Sequence, residues 1–231
     1  MARGVKHEPG QHPFFREELF RFLVDLRTHN DRTWFQANKA RYEAEVREPM
    51  LAFIMAFSDP LRGLNEHFVA DPRPVGGSMF RIFRDTRFAK DKTPYKTNAG
   101  AQFRHRACPK DVHSPGFYLH LEPGGCFAGG GLWHPDADSL HKVRQRIVTH
   151  EQEWAALKCL GVEGESLKRV PQGFDPDHPF AEDLKLKDFF ADVALTEREV
   201  CAPDFLERFT DLCRRYLPLM AFLSKAVDLP W

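Results

Sequence analysis

The stretch GFYLHLEPGGCFAGGGLW, residues 116–133, decides how the rest of the chain is read. Phe117, Leu119 and Leu121 alternate with Tyr118, His120 and Glu122, the period of two that gives a strand one buried face and one open face. EPGGC follows, and its proline and glycines predict a tight turn into a returning antiparallel strand, CFAGGGLW. Working outward, FRIF (80–83) and AQFRH (101–105) share this aromatic and β-branched texture, with Pro, Gly and Asn between the runs. The expectation is a mostly antiparallel sheet over residues 78–134, with FFADVAL (189–195) as a candidate edge strand and LKRV (167–170) as a short one.

The flanks have a helical period instead. Phe15, Leu19, Phe22, Leu23 and Leu26 recur at helical spacing behind Pro13. Thr33 with Gln36 fits a capping box that opens a helix through WFQANKARYEAEV. Pro49 is expected to kink or restart that helix before the apolar run LAFIMAF (51–57). A later helix is expected to begin near Asp136 or Asp138, with Leu140, Val143, Ile147 and Trp154 as its stripe. The last carries Phe205, Phe209, Leu212, Tyr216, Met220, Leu223 and Val227, with Pro203 at its start and a bend at Pro218. Helices, then sheet, then helices make an α+β architecture. One domain is expected over residues 13–231, preceded by a flexible tail at 1–12.

The composition sets outer limits. The 231 residues include 21 Phe, 42% hydrophobic side chains and equal numbers of cations and acids, so a large aromatic core is available. Zero formal net charge argues against a generally basic nucleic-acid coat or a polybasic membrane anchor. The five cysteines are scattered without any C-x-x-C, which fits reduced thiols rather than a disulfide frame or zinc knuckle. MARGVKHEPGQHPFF lacks an apolar signal core, and residues 51–57 are too few to span a bilayer. A cytoplasmic protein without a membrane partner is the expectation.

Charge is nevertheless strongly segregated. Residues 81–110 hold nine cations against Asp85 and Asp91, a local net of +7 that the remainder balances with −7. Arginine forks suit bidentate grip on phosphate or carboxylate, and lysine adds a mobile point charge. Arg81, Arg84 and Arg87 are therefore the candidate grip on an anion, with Lys92 and Lys96 neutralising it. Asp85, Tyr95 and Lys92 are the candidate catalytic groups, since adjacent cations draw a phenol's pKa downward and Asp85 could act as a base. Gly130 and Gly131, in GGGLW, could let a backbone approach the ligand closely or offer amides to it. Each residue has a plainer role. The cations could brace helices against the sheet, Thr-Pro-Tyr is the anchor of a turn, and GGG suits a bent strand.

R-x-x-R-D-x-R-F at Arg81–Phe88, with DKTPYKT at 91–97, closely resembles the signature of the domain-of-unknown-function 2461 family. NDRTWFQANKARYE (30–43), GFYLHLEPGG with GGGLW (116–133) and DPDHP (175–179) agree with it. The likeness runs from about residue 13 to the C-terminus and implies one bacterial-type α+β domain. The family is functionally uncharacterised, so it implies no substrate and no catalytic assignment.

Other chemistries leave little trace. There is no G-x-x-x-x-G-K-[ST], no G-x-G-x-x-G, no G-x-S-x-G and no H-E-x-x-H. His105, His120, His134 and His178 could approach one another, but no pair has the spacing of a known zinc site, and no metal or cofactor is assigned. The leading expectation is an enzyme or binding protein for a small anionic ligand, phosphorylated or carboxylate. Single-stranded nucleic acid is the second, because arginine interleaves with phenylalanine, although FRIFRDTRF does not match the RNP1 pattern. A structural or partner-binding module without a pocket is the third.

Overall fold

A computed structural model of the chain describes residues 13–109 and 111–231. The N-terminal tail expected at 1–12, and Lys110 of the cationic stretch, lie outside the described residues. The chain opens with α1 (Glu17–Thr28), α2 (Arg32–Ala37) and α3 (Lys39–Tyr42), a π-turn at Glu43–Arg47, and α4 (Glu48–Leu64). Strands β1 (Phe68–Val69), β2 (Ala99–His105), β3 (Gly116–Leu121) and β4 (Cys126–Leu132) come next. Then come α5 (Ala137–Thr149), α6 (Glu151–Leu157), α7 (Ala181–Leu184), β5 (Phe189–Leu195), α8 (Glu197–Val200) and α9 (Phe205–Ala226). This is an α+β fold whose five strands form one antiparallel sheet in chain order, β1 to β5. Among the described residues no helix is long and apolar enough to cross a membrane.

Local chemistry places several elements differently from the expectation. Asp31, not Thr33, caps α2, its carboxylate accepting from the Trp34 amide at 2.9 Å. Pro49 sits in the first turn of α4, where its missing N–H costs no bond, and the irregularity falls before it in the π-turn. FRIF is no strand; Phe80 donates its amide to Gly100 at 2.9 Å and Phe83 bridges to Tyr95, with Met79 just before the run bridged to Ala101. Residues 82–96 form a loose ribbon, with Lys96 donating its amide to Ile82 at 2.8 Å and Arg84 to Pro94 at 2.9 Å. LKRV likewise is no strand: Leu167 donates its amide to Lys185 at 2.8 Å, beside a single bridge from Ser166 to Leu186. FFADVAL is β5, an edge strand paired with β4. Asp136 caps α5, accepting from the Ser139 amide at 2.8 Å.

The period of two in β3 separates the sheet's faces. Phe117, Leu119 and Leu121 are buried with Ala101 and Phe103 of β2 and Ala128 of β4, covered by α4 and α9. Phe57 of α4 meets Phe103 and Phe209 edge-on, each at 4.8 Å between centroids, so rings lock α4, α9 and β2 together. Such pairs contribute roughly 0.5–1.5 kcal/mol each beyond their burial. At the far end, His105 Nδ1 accepts from the Ala107 amide at 3.2 Å while Nε2 reaches the Pro230 carbonyl at 2.9 Å. Trp231 lies against Phe68, so the C-terminal residues close over the β1 edge.

β4 explains the three glycines. A Cβ on Gly130 would meet Phe117 at 3.0 Å and the Met220 sulfur at 3.2 Å, so the bare backbone admits α9 to the sheet. A Cβ on Gly129 would lie 2.3 Å from the Ala191 carbonyl oxygen, and one on Gly131 at 2.3 Å from that of Phe189. Backbone oxygens of a paired strand cannot yield. Gly129→Ala should therefore cost about 3 kcal/mol and lower Tm by roughly 6–12 °C. Gly63→Ala, on the exposed side of α4 with open space around it, should raise Tm by roughly 1–4 °C. Thermal melts of the two variants beside wild type check both signs.

Candidate functional site

The face of the sheet turned away from α4 and α9 carries a cavity of about 390 Å³. Its floor is where side chains are missing, at Gly116 of β3, at Gly131 directly across from it on β4, and at Gly129 two residues along β4. Aromatic rings wall it: Phe80 beside β2, Tyr118 on β3, Phe127 on β4, Trp133 just beyond it, and Phe190 on β5. Polar groups are few, and three of them, Gln102, His120 and Asp192, come from different strands. A concave, mostly apolar site of this size with sparse polar groups is the usual form of a small-molecule pocket.

One row of side chains on β3 is already connected. The Tyr118 hydroxyl lies 3.1 Å from His120 Nδ1, and His120 Nε2 lies 3.1 Å from the Glu122 carboxylate. Glu122 can only accept, so Nε2 carries the proton and Nδ1 accepts from the phenol. Arg27 of α1 holds the other Glu122 oxygen at 3.2 Å. Phe127 stacks on the imidazole at 4.6 Å and an interplanar angle of 15°, fixing the ring's plane. Burial, with the Glu122 charge adding to it, pushes the Tyr118 phenol up to about 12, so it is a neutral donor across the physiological range. A Cβ on Gly100 would sit 2.7 Å from that phenol oxygen, and the glycine is what makes room for it.

The ribbon's cations are largely committed. Arg87 forms a two-pronged pair with Asp85, the closer contact 2.6 Å. Arg84 binds Asp91 and Thr93. Lys92 donates to the Thr86 carbonyl at 2.8 Å. Tyr95 is buried, stacked on Phe35 at 4.0 Å, and Asn30 clamps its main chain with two bonds of 3.0 Å. It therefore belongs to the core and does not face the arginines. No contact among the described residues joins Asp85, Tyr95 and Lys92, and each already serves a local structural bond.

Lys96 differs from its neighbours. Its half-buried ammonium lies 5.2 Å from the centre of the Phe80 ring that walls the cavity, and it has no hydrogen bond or ion pair with any described residue. Burial first, and Arg81 second, hold its pKa below the ordinary lysine value. Arg81 is exposed, makes no side-chain hydrogen bond or salt bridge with a described residue, and is close enough to Asp85 to help lower that carboxyl. Arg104 lies over the same Phe80 ring at 5.7 Å but is engaged by the Gln102 side chain and the Pro109 carbonyl, each at 3.0 Å. Of the residues the sequence singled out, Gly130 and Gly131 line the cavity, and Lys96 touches its wall through Phe80. Tyr118, His120, Phe190 and Asp192 were not singled out as site residues. The first two were legible as the open face of an alternating strand, whereas the pair on β5 had no local signal.

Among the described residues no cluster of three His, Cys, Asp or Glu side chains is placed to hold a metal ion. The four histidines considered together have separate neighbours. His105 is on Pro230, His120 on Glu122, His134 on Asp188 and His178 on Glu151.

The ribbon's ion pairs have a pH signature. The Arg87 guanidinium brings Asp85 down to about 2, and Arg84 with Thr93 does the same for Asp91. Carboxyls lowered in this way support the ribbon above their ordinary pKa near ~4, and that support fades as pH falls through about 2. Carboxyl ¹³C titration should place both midpoints near 2 at low salt. In 1 M salt they should move up toward the usual carboxylate range, because exposed pairs are screened.

No curated protein and no solved structure matches the chain. The family model described as "Conserved hypothetical protein (DUF2461)" matches residues 18–222, nearly the whole sequence, and the chain belongs to that family.

Proposed function

We propose that the cavity on the open face of the sheet binds a small ligand with a flat, apolar body and an anionic end. The observation that carries this reading is Lys96. An ammonium that loses water without gaining a carboxylate is disfavoured, and its depressed pKa expresses that cost. Arg81 beside it adds repulsion rather than relief. A phosphate or carboxylate arriving next to Phe80 would remove both penalties at once. The rest of the cavity suits the body attached to such a group, since five aromatic rings and a glycine floor accept a planar, weakly hydrated molecule. Tyr118 supplies a neutral hydroxyl in the middle of the cavity; its proton is turned to His120, which Glu122 backs, so its oxygen is free to accept a hydrogen bond from a bound ligand.

One feature favours single-stranded nucleic acid as a second reading. Phe88, at the end of the ribbon, is 95% exposed and has the Arg87 guanidinium 5.9 Å from its ring, as a base-stacking platform would.

The two readings separate in a thermal-shift panel of inorganic phosphate, phenyl phosphate, benzoate, nucleotides and a short single-stranded oligonucleotide. A small aromatic anion at 100 times its Kd should raise Tm by roughly 5–10 °C. Lys96→Met, which keeps the side chain's bulk, should abolish most of that shift, whereas Phe88→Ala should leave it intact. Stabilisation by the oligonucleotide alone, lost in Phe88→Ala and falling steeply with salt, would replace the small-ligand reading with the second.

A further inference from the structure

The cavity has a second charged group without a protein partner, an exposed carboxylate on its β5 side. Asp192 projects from the open face of β5, two residues from Phe190 and directly across from Gly129. It makes no hydrogen bond and no ion pair with any described residue, in a protein whose other cavity-side polar groups, Gln102, Tyr118 and His120, are all bonded. Its surroundings repel it further. Partial burial, and then Glu163, hold its pKa above the ordinary aspartate value. Residue 163 is bridged to the outer edge of β5 at Phe190, which brings that second carboxylate close. A carboxylate can only accept, so what it lacks is a partner with N–H or O–H groups.

The two ends are far apart. Phe80 bonds to β2 through Gly100, and β3, β4 and β5 succeed one another across the sheet. Four strand spacings of about 4.8 Å put the Phe80 backbone about 19 Å from β5. Asp192 lines the cavity at one of those ends and Lys96 lies against Phe80 at the other, so a compact ion cannot meet both. Next to Asp192, Phe190 faces Gly131, and a flat ring can lie against the phenyl group where β4 has no side chain. The molecule this describes is long, with an anion at one end and, at the other, a heterocycle whose edge presents N–H donors.

We infer that the cavity takes a nucleotide, with the base edge read by Asp192 and the phosphates held at Lys96 and Arg81. This rests on the anion-binding reading above and narrows its ligand to one class. Two adjacent donors match the two oxygens of a carboxylate, so a guanine edge, with its ring N–H beside an amino group, is preferred to bases offering one. The Tyr118 phenol, between the ends, keeps an oxygen lone pair for a sugar hydroxyl.

Calorimetric titration with guanosine 5′-diphosphate, inosine 5′-diphosphate and phenyl phosphate tests this, using wild type, Asp192→Asn and Lys96→Met. Inosine differs from guanosine only in lacking the amino group. Wild type should bind the guanosine compound roughly tenfold more tightly, as expected for one charge-assisted bond in a partly open site. Asp192→Asn should bring that ratio to about one while leaving phenyl phosphate unchanged, and Lys96→Met should weaken all three alike. Circular dichroism melts establish that both variants are folded. Equal affinity for the two diphosphates in wild type, or a ratio that survives Asp192→Asn, overturns the inference even where phenyl phosphate binds through Lys96. If no phosphorylated probe binds wild type, this inference falls; if benzoate fails as well, the anion-binding reading falls with it.

Discussion

Three consecutive residues without side chains, Gly129 to Gly131, are the constraint on which this molecule is built. Gly130 faces the helices, and its missing Cβ lets Met220 bring α9 against the sheet. Gly129 and Gly131 face the other way, and their missing side chains leave the cavity floor bare. Packing of the core and access to the cavity are therefore set by the same three residues on one strand. A glycine run in a strand interior gives up conformational entropy on folding and contributes no buried side chain. The structure offsets that cost by placing β4 between two strands, with full antiparallel ladders to β3 and β5.

The cationic stretch shows why charge counted along a sequence overstates charge available at a site. Asp85 and Asp91 are only two carboxylates among many cations, yet each captures an arginine a few residues away. Lys92 settles on a carbonyl and Arg104 on a glutamine and a carbonyl. What survives without a hydrogen bond or salt bridge next to the cavity's Phe80 wall is Lys96, with Arg81 near enough to repel it. Ion pairs at the surface contribute little to stability, about 0–1 kcal/mol each, but they decide which cations remain free.

How much of this could be read from the sequence depends on the range of the interactions. β3 and the turn into β4 were legible because alternation and turn chemistry are local: Phe117, Leu119 and Leu121 did turn inward, and the turn is held by a Gly125 to Glu122 bond of 2.9 Å. The same alternation placed Tyr118, His120 and Glu122 on the opposite face, though nothing local said that face would be hollow. FRIF carried strand-forming residues but lacks a continuous partner, because β1 takes one end of the β2 edge and residues 78–80 touch only the other. At α2 two capping residues, Asp31 and Thr33, competed within three positions, and the earlier one won. Asp192 and Phe190 were out of reach, since their role depends on β5 pairing with a strand much earlier in the chain.

That last pairing also orders the way the molecule is made. β2, β3 and β4 are joined by short connections, and their ladders can zip from the turns outward as the chain emerges. β5 arrives only after the long excursion from Leu132 to Phe189, through α5, α6 and α7. The loop-closure entropy of that excursion is met before any β4–β5 contact can repay it, so this ladder is expected to form after the local hairpins. The wall carrying Phe190 and Asp192 is then the last part of the cavity to exist. A newly synthesised chain would have the Phe80 and Tyr118 side in place, and lack the β5 wall of the cavity, until the final third of its sequence had folded back.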